Sequence, residues 1–135
     1  MKFQVNNNEV YASTGGRPFD KNKPLIIFVH GSGLTHMTWV LQTRYFAFHG
    51  YSVLALDMPG HGLSGGESLK SIEDMADWVS DVIDAVGYKE ASLVVVTKSK
   101  YFCLLSKNLK FFFINANLQF LICWIICCYE FFQNI

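Results

Sequence analysis

The hydrophobic pattern of the chain contains three apolar runs separated by two stretches of helical periodicity. The runs lie at Leu25–Val29, Tyr51–Leu56 and Ala91–Val96, and each is nearly continuous rather than alternating. Continuous apolar runs of this length predict strands that are buried on both faces, as in a parallel sheet. The intervening stretches, Met37–His49 and Ile72–Val86, carry the apolar positions of two helices.

This order of elements predicts a doubly wound α/β fold. Right-handed crossovers place the three strands in the order second, first, third, with the two helices on opposite faces of the sheet. A hairpin precedes them, because Lys2–Val5 and Glu9–Ser13 are strand-like and flank three asparagines, which tolerate a left-handed turn. Ser71 is placed to cap the second helix, and Gly50 and Gly87 are placed to end the two helices.

Composition narrows the class of protein further. The 135 residues suffice for one domain, and eleven basic residues balance eleven acidic ones, which gives no sign of nucleic-acid binding. The N-terminal residues lack the apolar core of a secretion signal, so we expect a cytoplasmic protein. Every glycine and proline lies at or before Gly87, and all four cysteines lie after it. This shift predicts a boundary between two kinds of sequence.

Two polar turns rich in glycine follow the first two buried strands. In the first, His30-Gly31-Ser32-Gly33, the glycines let the backbone bend sharply and leave N–H groups pointing into a cleft, where they could stabilise an oxyanion. The second turn contains Asp57, Pro59, Gly60, His61, Gly62 and Ser64. Its proline and glycines predict a tight loop at the carboxyl edge of the sheet.

Together these two turns resemble the serine-hydrolase side of the α/β-hydrolase superfamily, which includes esterases, lactonases and carbon–carbon-bond hydrolases. The resemblance covers about residues 3–94, the N-terminal half of that family's sheet: a hairpin, then β-α-β-α-β. It implies that Ser32 lends its backbone N–H to an oxyanion hole, with Gly33 as a less favoured donor. It also implies structural rather than catalytic roles for His30 and His61, a small acyl or ester substrate, and no cofactor.

Several side chains near these turns remain open to more than one interpretation. His36 and His49 flank the predicted first helix, and we interpret them as surface or boundary residues. Leu34, Met37 and Trp39 could line a substrate pocket above the sheet, although packing in the core explains Trp39 equally well.

The nucleophile that the family pattern requires is missing from its expected place. A Gly-x-Ser-x-Gly turn should follow the third strand, but the chain reads Val-Val-Thr-Lys-Ser-Lys-Tyr over residues 95–101. Neither Thr97 nor Ser99 has a glycine two residues before or after it, and no histidine follows His61. The sequence therefore predicts an inactive truncation of a serine hydrolase, without nucleophile, acid or late histidine. Catalysis by Thr97 or Ser99 in an atypical arrangement is a disfavoured alternative.

The apolar tail at residues 95–135 has two competing interpretations. Its residue types are mostly encoded by A/T-rich triplets, which favours a frameshift or splice read-through after a partial hydrolase domain at residues 1–94. Alternatively, Phe111–Tyr129 carries no charge over nineteen positions and follows four lysines, which is typical of a membrane anchor. The protein would then be a non-enzymatic, membrane-anchored binding protein.

Two further expectations concern the same tail. Cys103, Cys123, Cys127 and Cys128 lack a second ligand pair or a nearby histidine, so we expect no metal site. Without the later strands of the family, we expect the third predicted strand to form an exposed apolar edge, which would make the isolated chain poorly soluble.

Overall fold

The computed structural model describes residues 1–96 and 109–114, which form a six-stranded sheet with a helix on each face. The elements are β1 (Lys2–Val5), β2 (Asn8–Ser13), β3 (Leu25–Val29), a 3-10 helix (His36–Trp39), α1 (Val40–Phe48), β4 (Ser52–Leu56), α2 (Ile72–Ala85), β5 (Ala91–Val96) and β6 (Leu109–Ile114).

The strand order is β1-β2-β4-β3-β5-β6, and β4, β3, β5 and β6 are mutually parallel. Val29 of β3 is in register with Leu56 of β4 on one side and with Val95 of β5 on the other. The predicted order second, first, third is therefore confirmed for the three central strands, and so is the doubly wound α/β class.

Both faces of the central strands are covered, as their continuous apolar runs require. Along β3, Ile27 packs in a cluster with Val79 and Val82 of α2, whereas Phe28 packs in a second cluster with Phe46 of α1. Successive side chains of a strand point to opposite faces, so α1 and α2 lie on opposite sides of the sheet. The predicted placement of the two helices is correct.

The N-terminal hairpin closes through a turn in which Asn6 and Asn7 both have positive φ, 48° and 64°. This pair of left-handed residues is the signature of a type I′ turn, which suits the twist of the flanking strands. The second strand begins at Asn8, one residue before the predicted start. At the tip, the Asn6 side-chain amide donates a hydrogen bond of 2.6 Å to Asp81 of α2.

The two helices differ slightly from their predicted bounds. The first stretch starts as a 3-10 helix, and α1 begins only at Val40. The side chain of Thr35 caps the 3-10 helix by accepting a hydrogen bond from the Met37 N–H at 3.4 Å. The second helix begins as predicted, with Ser71 Oγ accepting the Asp74 N–H at 3.0 Å. It ends at Ala85, followed by Gly87 at φ 81°.

The expectation of an exposed edge at β5 is wrong. Strand β6 pairs with β5 in parallel, with Val94 in register with Phe112, so the outer backbone groups of β5 are hydrogen-bonded. The first four residues of the segment Phe111–Tyr129 thus lie in β6, and residues 115–129 lie outside the described residues. In the described part of the chain, no helix has the length and apolar character needed to cross a bilayer.

Candidate active-site loops

The two glycine-bearing turns lie at one edge of the sheet. Strands β3, β4 and β5 are parallel and in register, so the turns that follow Val29 and Leu56 both leave the sheet at its carboxyl edge. Clefts at this edge are where open α/β sheets bind their ligands. We call residues 30–36, up to the first residue of the 3-10 helix, the oxyanion loop, after the role that the sequence resemblance predicts for it, and residues 57–64 the second loop.

The oxyanion loop is a tight turn with two unused backbone donors. The Leu34 N–H donates to the Gly31 carbonyl at 3.2 Å, and Gly33 lies at φ 73°, a left-handed conformation that favours glycine. Ser32 and Gly33 are both exposed. Within residues 1–96 and 109–114, neither of their N–H groups donates a hydrogen bond. Two adjacent amides at the edge of the sheet are thus free to bind an acceptor.

His30 joins the oxyanion loop to the second loop. Its side chain is buried, with Nδ1 2.9 Å from the Gly31 carbonyl oxygen and Nε2 3.1 Å from the Met58 backbone nitrogen. Burial lowers the pKa of His30, and this effect outweighs the hydrogen bond to Gly31, which raises it. The ring is therefore suited to a positional role between the two loops.

Asp57 is the second connection between the loops, and its carboxyl group is completely buried. One oxygen, Oδ1, accepts the His36 backbone N–H at 2.7 Å, and the other, Oδ2, accepts the Leu63 N–H at 2.9 Å. Nδ1 of the His36 ring lies 3.0 Å from Oδ1 and 2.9 Å from Oδ2. Since carboxylate oxygens only accept, His36 carries its proton on Nδ1 here. A single side chain thus fixes both loops at the end of β4.

The contact between His36 and Asp57 was missed by the sequence interpretation, which treated His36 only as a surface or boundary residue. Its side chain is 13% exposed, and its ring packs 4.8 Å from that of Tyr11 on β2. The one available signal was a carboxyl group directly after a buried strand, which needs donors from elsewhere in the chain. His49, by contrast, is exposed, with Nδ1 2.7 Å from the Tyr45 carbonyl.

An aspartate bonded to a histidine resembles the base and orienting acid of a catalytic triad, but the topology argues against that role here. Asp57 follows β4, whereas the family pattern places the nucleophile after β5, and β3 lies between the two strands. Two strand spacings separate them by about 10 Å. The His36–Asp57 pair is therefore assigned to holding the loops.

The second loop is tied to β2 at its first and last residues. The Asp57 N–H donates to the Tyr11 carbonyl at 3.0 Å, and Ser64 Oγ accepts the Tyr11 N–H at 2.9 Å. Within the loop, Ser64 Oγ donates to the Asp57 carbonyl at 2.7 Å, and His61 Nδ1 lies 3.0 Å from the Pro59 carbonyl oxygen. These bonds close the loop on itself and hold both of its ends against β2.

Two glycines of this loop allow close approaches that a side chain would block. A Cβ at Gly62 would lie 2.2 Å from Asp57 Oδ2, and a Cβ at Gly60 would lie 2.5 Å from Ser68 Oγ. Both glycines also have positive φ, 53° and 73°. Gly62 therefore lets the backbone pass close to the buried carboxyl group, and Gly60 lets it pass close to Ser68.

The apolar residues near the oxyanion loop divide into core and surface. Trp39 is buried against Phe28 with ring centroids 5.2 Å apart, and among the described residues its Nε1 has no hydrogen-bond partner. Leu34 and Met37 are exposed, at 41% and 64%. Trp39 is thus a core residue, while Leu34 and Met37 are still available to line a pocket.

Other predicted site features lie beyond the described residues. Thr97, Ser99 and the four cysteines fall outside them, so the structure describes no group at the nucleophile position after β5. Over residues 1–96 and 109–114, no three His, Cys, Asp or Glu side chains are arranged to hold a metal ion.

Comparison with known proteins agrees with this fold. A sequence profile described as the Alpha/beta hydrolase family matches residues 26–97, more than half of the chain. The chain is 34% identical over 94 residues to (E)-2-((N-methylformamido)methylene)succinate hydrolase of Acinetobacter baylyi, covering 67% of this chain and 33% of that protein. It thus spans about a third of that relative's length.

Solved structures show the same fold. A predicted CIB-like hydrolase from Thermoplasma acidophilum superimposes with a TM-score of 0.71 at 13% identity, over 100% of this chain and 97% of that one. An epoxide hydrolase from Bacillus megaterium gives a TM-score of 0.60 at 25% identity, over 71% of this chain and 33% of that one. The chain belongs to the α/β-hydrolase family.

Proposed function

We propose that this chain provides the oxyanion-binding loops of a serine-type hydrolase of carboxylic esters or related acyl compounds, and that it forms no acyl-enzyme of its own. The observation that carries the proposal is the pair of N–H groups of Ser32 and Gly33, two exposed residues at the carboxyl edge of the sheet, which donate no hydrogen bond within the part of the chain that the structure describes. The contacts that hold this pair in place support the binding of an oxyanion, and the residues after β5 support the absence of an acyl-enzyme.

The two amides are suited to stabilise an oxyanion because their positions are fixed in advance. His30 holds the start of the loop to Met58, and Asp57 holds its end at His36. Donors that are already oriented need no reorganisation when charge develops on a carbonyl oxygen, which is the main source of their catalytic effect. Acyl compounds are the substrates whose reaction develops that charge.

The segment after β5 supports the second half of the proposal. A nucleophilic serine at a strand-to-helix turn adopts a strained backbone that requires small residues two positions before and after it. Thr97 has Val95 and Ser99 at those positions, and Ser99 has Thr97 and Tyr101. Neither hydroxyl can occupy such a turn without steric conflict, so neither is activated for attack.

A fluorophosphonate reagent tests for an activated hydroxyl. We expect no labelling of the full chain, while a commercial esterase in the same reaction labels fully. The variants Thr97→Ala and Ser99→Ala are the matched controls, since either would remove labelling if its hydroxyl were the nucleophile. Labelling that disappears in one of the two variants would refute the absence of an acyl-enzyme.

Binding of a carboxylate tests the oxyanion loop itself. Butyrate has the charge and shape of a hydrolysis product, and we expect its addition to shift the Ser32 and Gly33 amide resonances in a ¹H–¹⁵N spectrum. Gly33→Ala should weaken this response, because alanine disfavours φ 73°. Gly50→Ala is the matched control, since Gly50 also has positive φ and open space but lies at the end of α1. Equal responses in the two variants would contradict the assignment.

A further inference from the structure

The ring of His30 is a hydrogen-bonded bridge whose two nitrogens have fixed and different roles. The Met58 backbone N–H can only donate, so Nε2, at 3.1 Å from the Met58 nitrogen, must present its lone pair. Nδ1 then carries the proton and donates to the Gly31 carbonyl at 2.9 Å. Both bonds exist only in the neutral ring with this tautomer.

Protonation of His30 cannot be accommodated in this arrangement. A proton on Nε2 would set one donor against another, and the side chain is only 2% exposed, so water cannot take over the lost bond. The proton can enter only if the Met58 bond breaks and the ring or the loop moves.

Other titratable groups around His30 do not remove this conflict. Asp57 favours the charged ring, but its oxygens already accept three N–H groups from His36 and Leu63. His61, with its ring centroid 5.2 Å from that of His30, and His36 both oppose a further positive charge. On the other side, β5 contributes no titratable residue.

His36 differs from His30 in the geometry of its ring contact. Its Nδ1–H points at Asp57, and Nε2 takes no part in that hydrogen bond. Of these two rings, only that of His30 has a nitrogen that must accept from a backbone N–H.

We propose that His30 is an acid-sensitive lock on the oxyanion loop: the neutral ring holds residues 30–36 to Met58, and its protonation releases them. The meaning of this release for catalysis rests on the proposed function, whereas the lock itself is a property of the fold.

The direction of the pH effect on stability follows from the difference between the pKa of His30 in the folded protein and in the unfolded chain. Burial lowers the pKa of His30 in the folded state, so stability is complete above the ordinary histidine pKa and is lost as the pH falls below it.

Hydrogen exchange of the Met58 amide in the full chain tests the lock directly. After correction for the intrinsic rate, we expect its protection to fall progressively as the pH is lowered below about 6.5, the ordinary histidine pKa, while amides of β4 stay protected. The ¹⁵N resonance of His30 Nε2 should change over the same pH range. Protection of Met58 that is independent of pH would overturn the proposal, as would a loss that follows a different titration from that of His30.

Two variants separate the lock from general effects of acid. His30→Gln offers an acceptor near the position of Nε2 that does not titrate, so the exchange of Met58 should lose its acid dependence. His49→Gln removes an exposed histidine and should behave like the unmodified protein. An unchanged acid response in His30→Gln would refute the lock, and the unmodified chain remains decisive if that variant does not fold. Because exchange needs no catalysis, labelling of Thr97 or Ser99 would overturn the proposed function alone.

Discussion

The substitution Asp57→Asn should destabilise the fold strongly although it changes only one atom type. Both oxygens of the buried carboxyl group accept a backbone N–H, one from His36 at 2.7 Å and one from Leu63 at 2.9 Å. In either orientation, the asparagine amide places an NH₂ group against one of these N–H donors. One backbone donor then loses its acceptor, even if the new NH₂ donates to Nδ1 of the His36 ring in its other tautomer.

The magnitude follows from two contributions. Losing a hydrogen bond to a charged group costs about 1.5–3 kcal/mol, and leaving a buried donor without an acceptor costs about 1–3 kcal/mol. We therefore expect a loss of about 2.5–6 kcal/mol in the free energy of unfolding, which is a large share of the total for one domain. For a chain of this size, the midpoint of thermal unfolding should fall by about 10–20 °C.

Urea unfolding followed by tryptophan fluorescence measures this change. Asp81→Asn is the matched control, because Asp81 accepts one hydrogen bond from Asn6 in an exposed contact, and its loss should cost no more than about 1 kcal/mol. If Asp57→Asn stays within about 1 kcal/mol of the unmodified protein, the carboxyl group does not hold the two loops as described.

Two further predictions concern stability and use the same unfolding assay. Gly62→Ala should lower the free energy of unfolding by about 2–4 kcal/mol, because it adds a clash with Asp57 to the backbone strain of φ 53°. Gly50→Ala introduces only the backbone strain and should cost about 1–2 kcal/mol. Equal losses in the two variants would contradict the clash. Ser71→Ala should cost about 1 kcal/mol by removing the acceptor of the Asp74 N–H at the start of α2, and Ser71→Asp should keep that stability. A neutral Ser71→Ala would show that the cap is not needed.

The central sheet could be predicted from the sequence because each of its strands is a short apolar run, and because the burial of such a run requires cover on both faces. A run such as Leu25–Val29 has no polar face, so it must be covered on both sides, and helices between parallel strands provide that cover. The strand order then follows from the handedness of the crossovers. The start of α2 was predictable from the Ser71 cap, whereas the start of α1 was not, because it follows a 3-10 helix that is capped by Thr35.

The errors and omissions arose where contacts join distant parts of the chain. Strand β6 was missed because Leu109–Ile114 was interpreted together with the apolar residues after it, as part of an aberrant tail or a membrane segment. Local periodicity could not show that β5 needed a parallel partner there. The pairing of His36 with Asp57 was missed for a similar reason, since 21 residues separate them and no motif joins them.

The order of the oxyanion loop and the presence of a nucleophile turn are two separate properties, although the family motif combines them. The free amides of Ser32 and Gly33 are positioned by His30 and by the end of β4, and neither support depends on the segment after β5. A chain of this family can therefore keep an ordered oxyanion loop where the nucleophile turn is altered. Because a buried histidine and a buried carboxyl group hold the loop, we expect its order to depend on pH and on the contacts between the two loops. Anion binding and acyl transfer should consequently be lost independently when the two regions are changed separately.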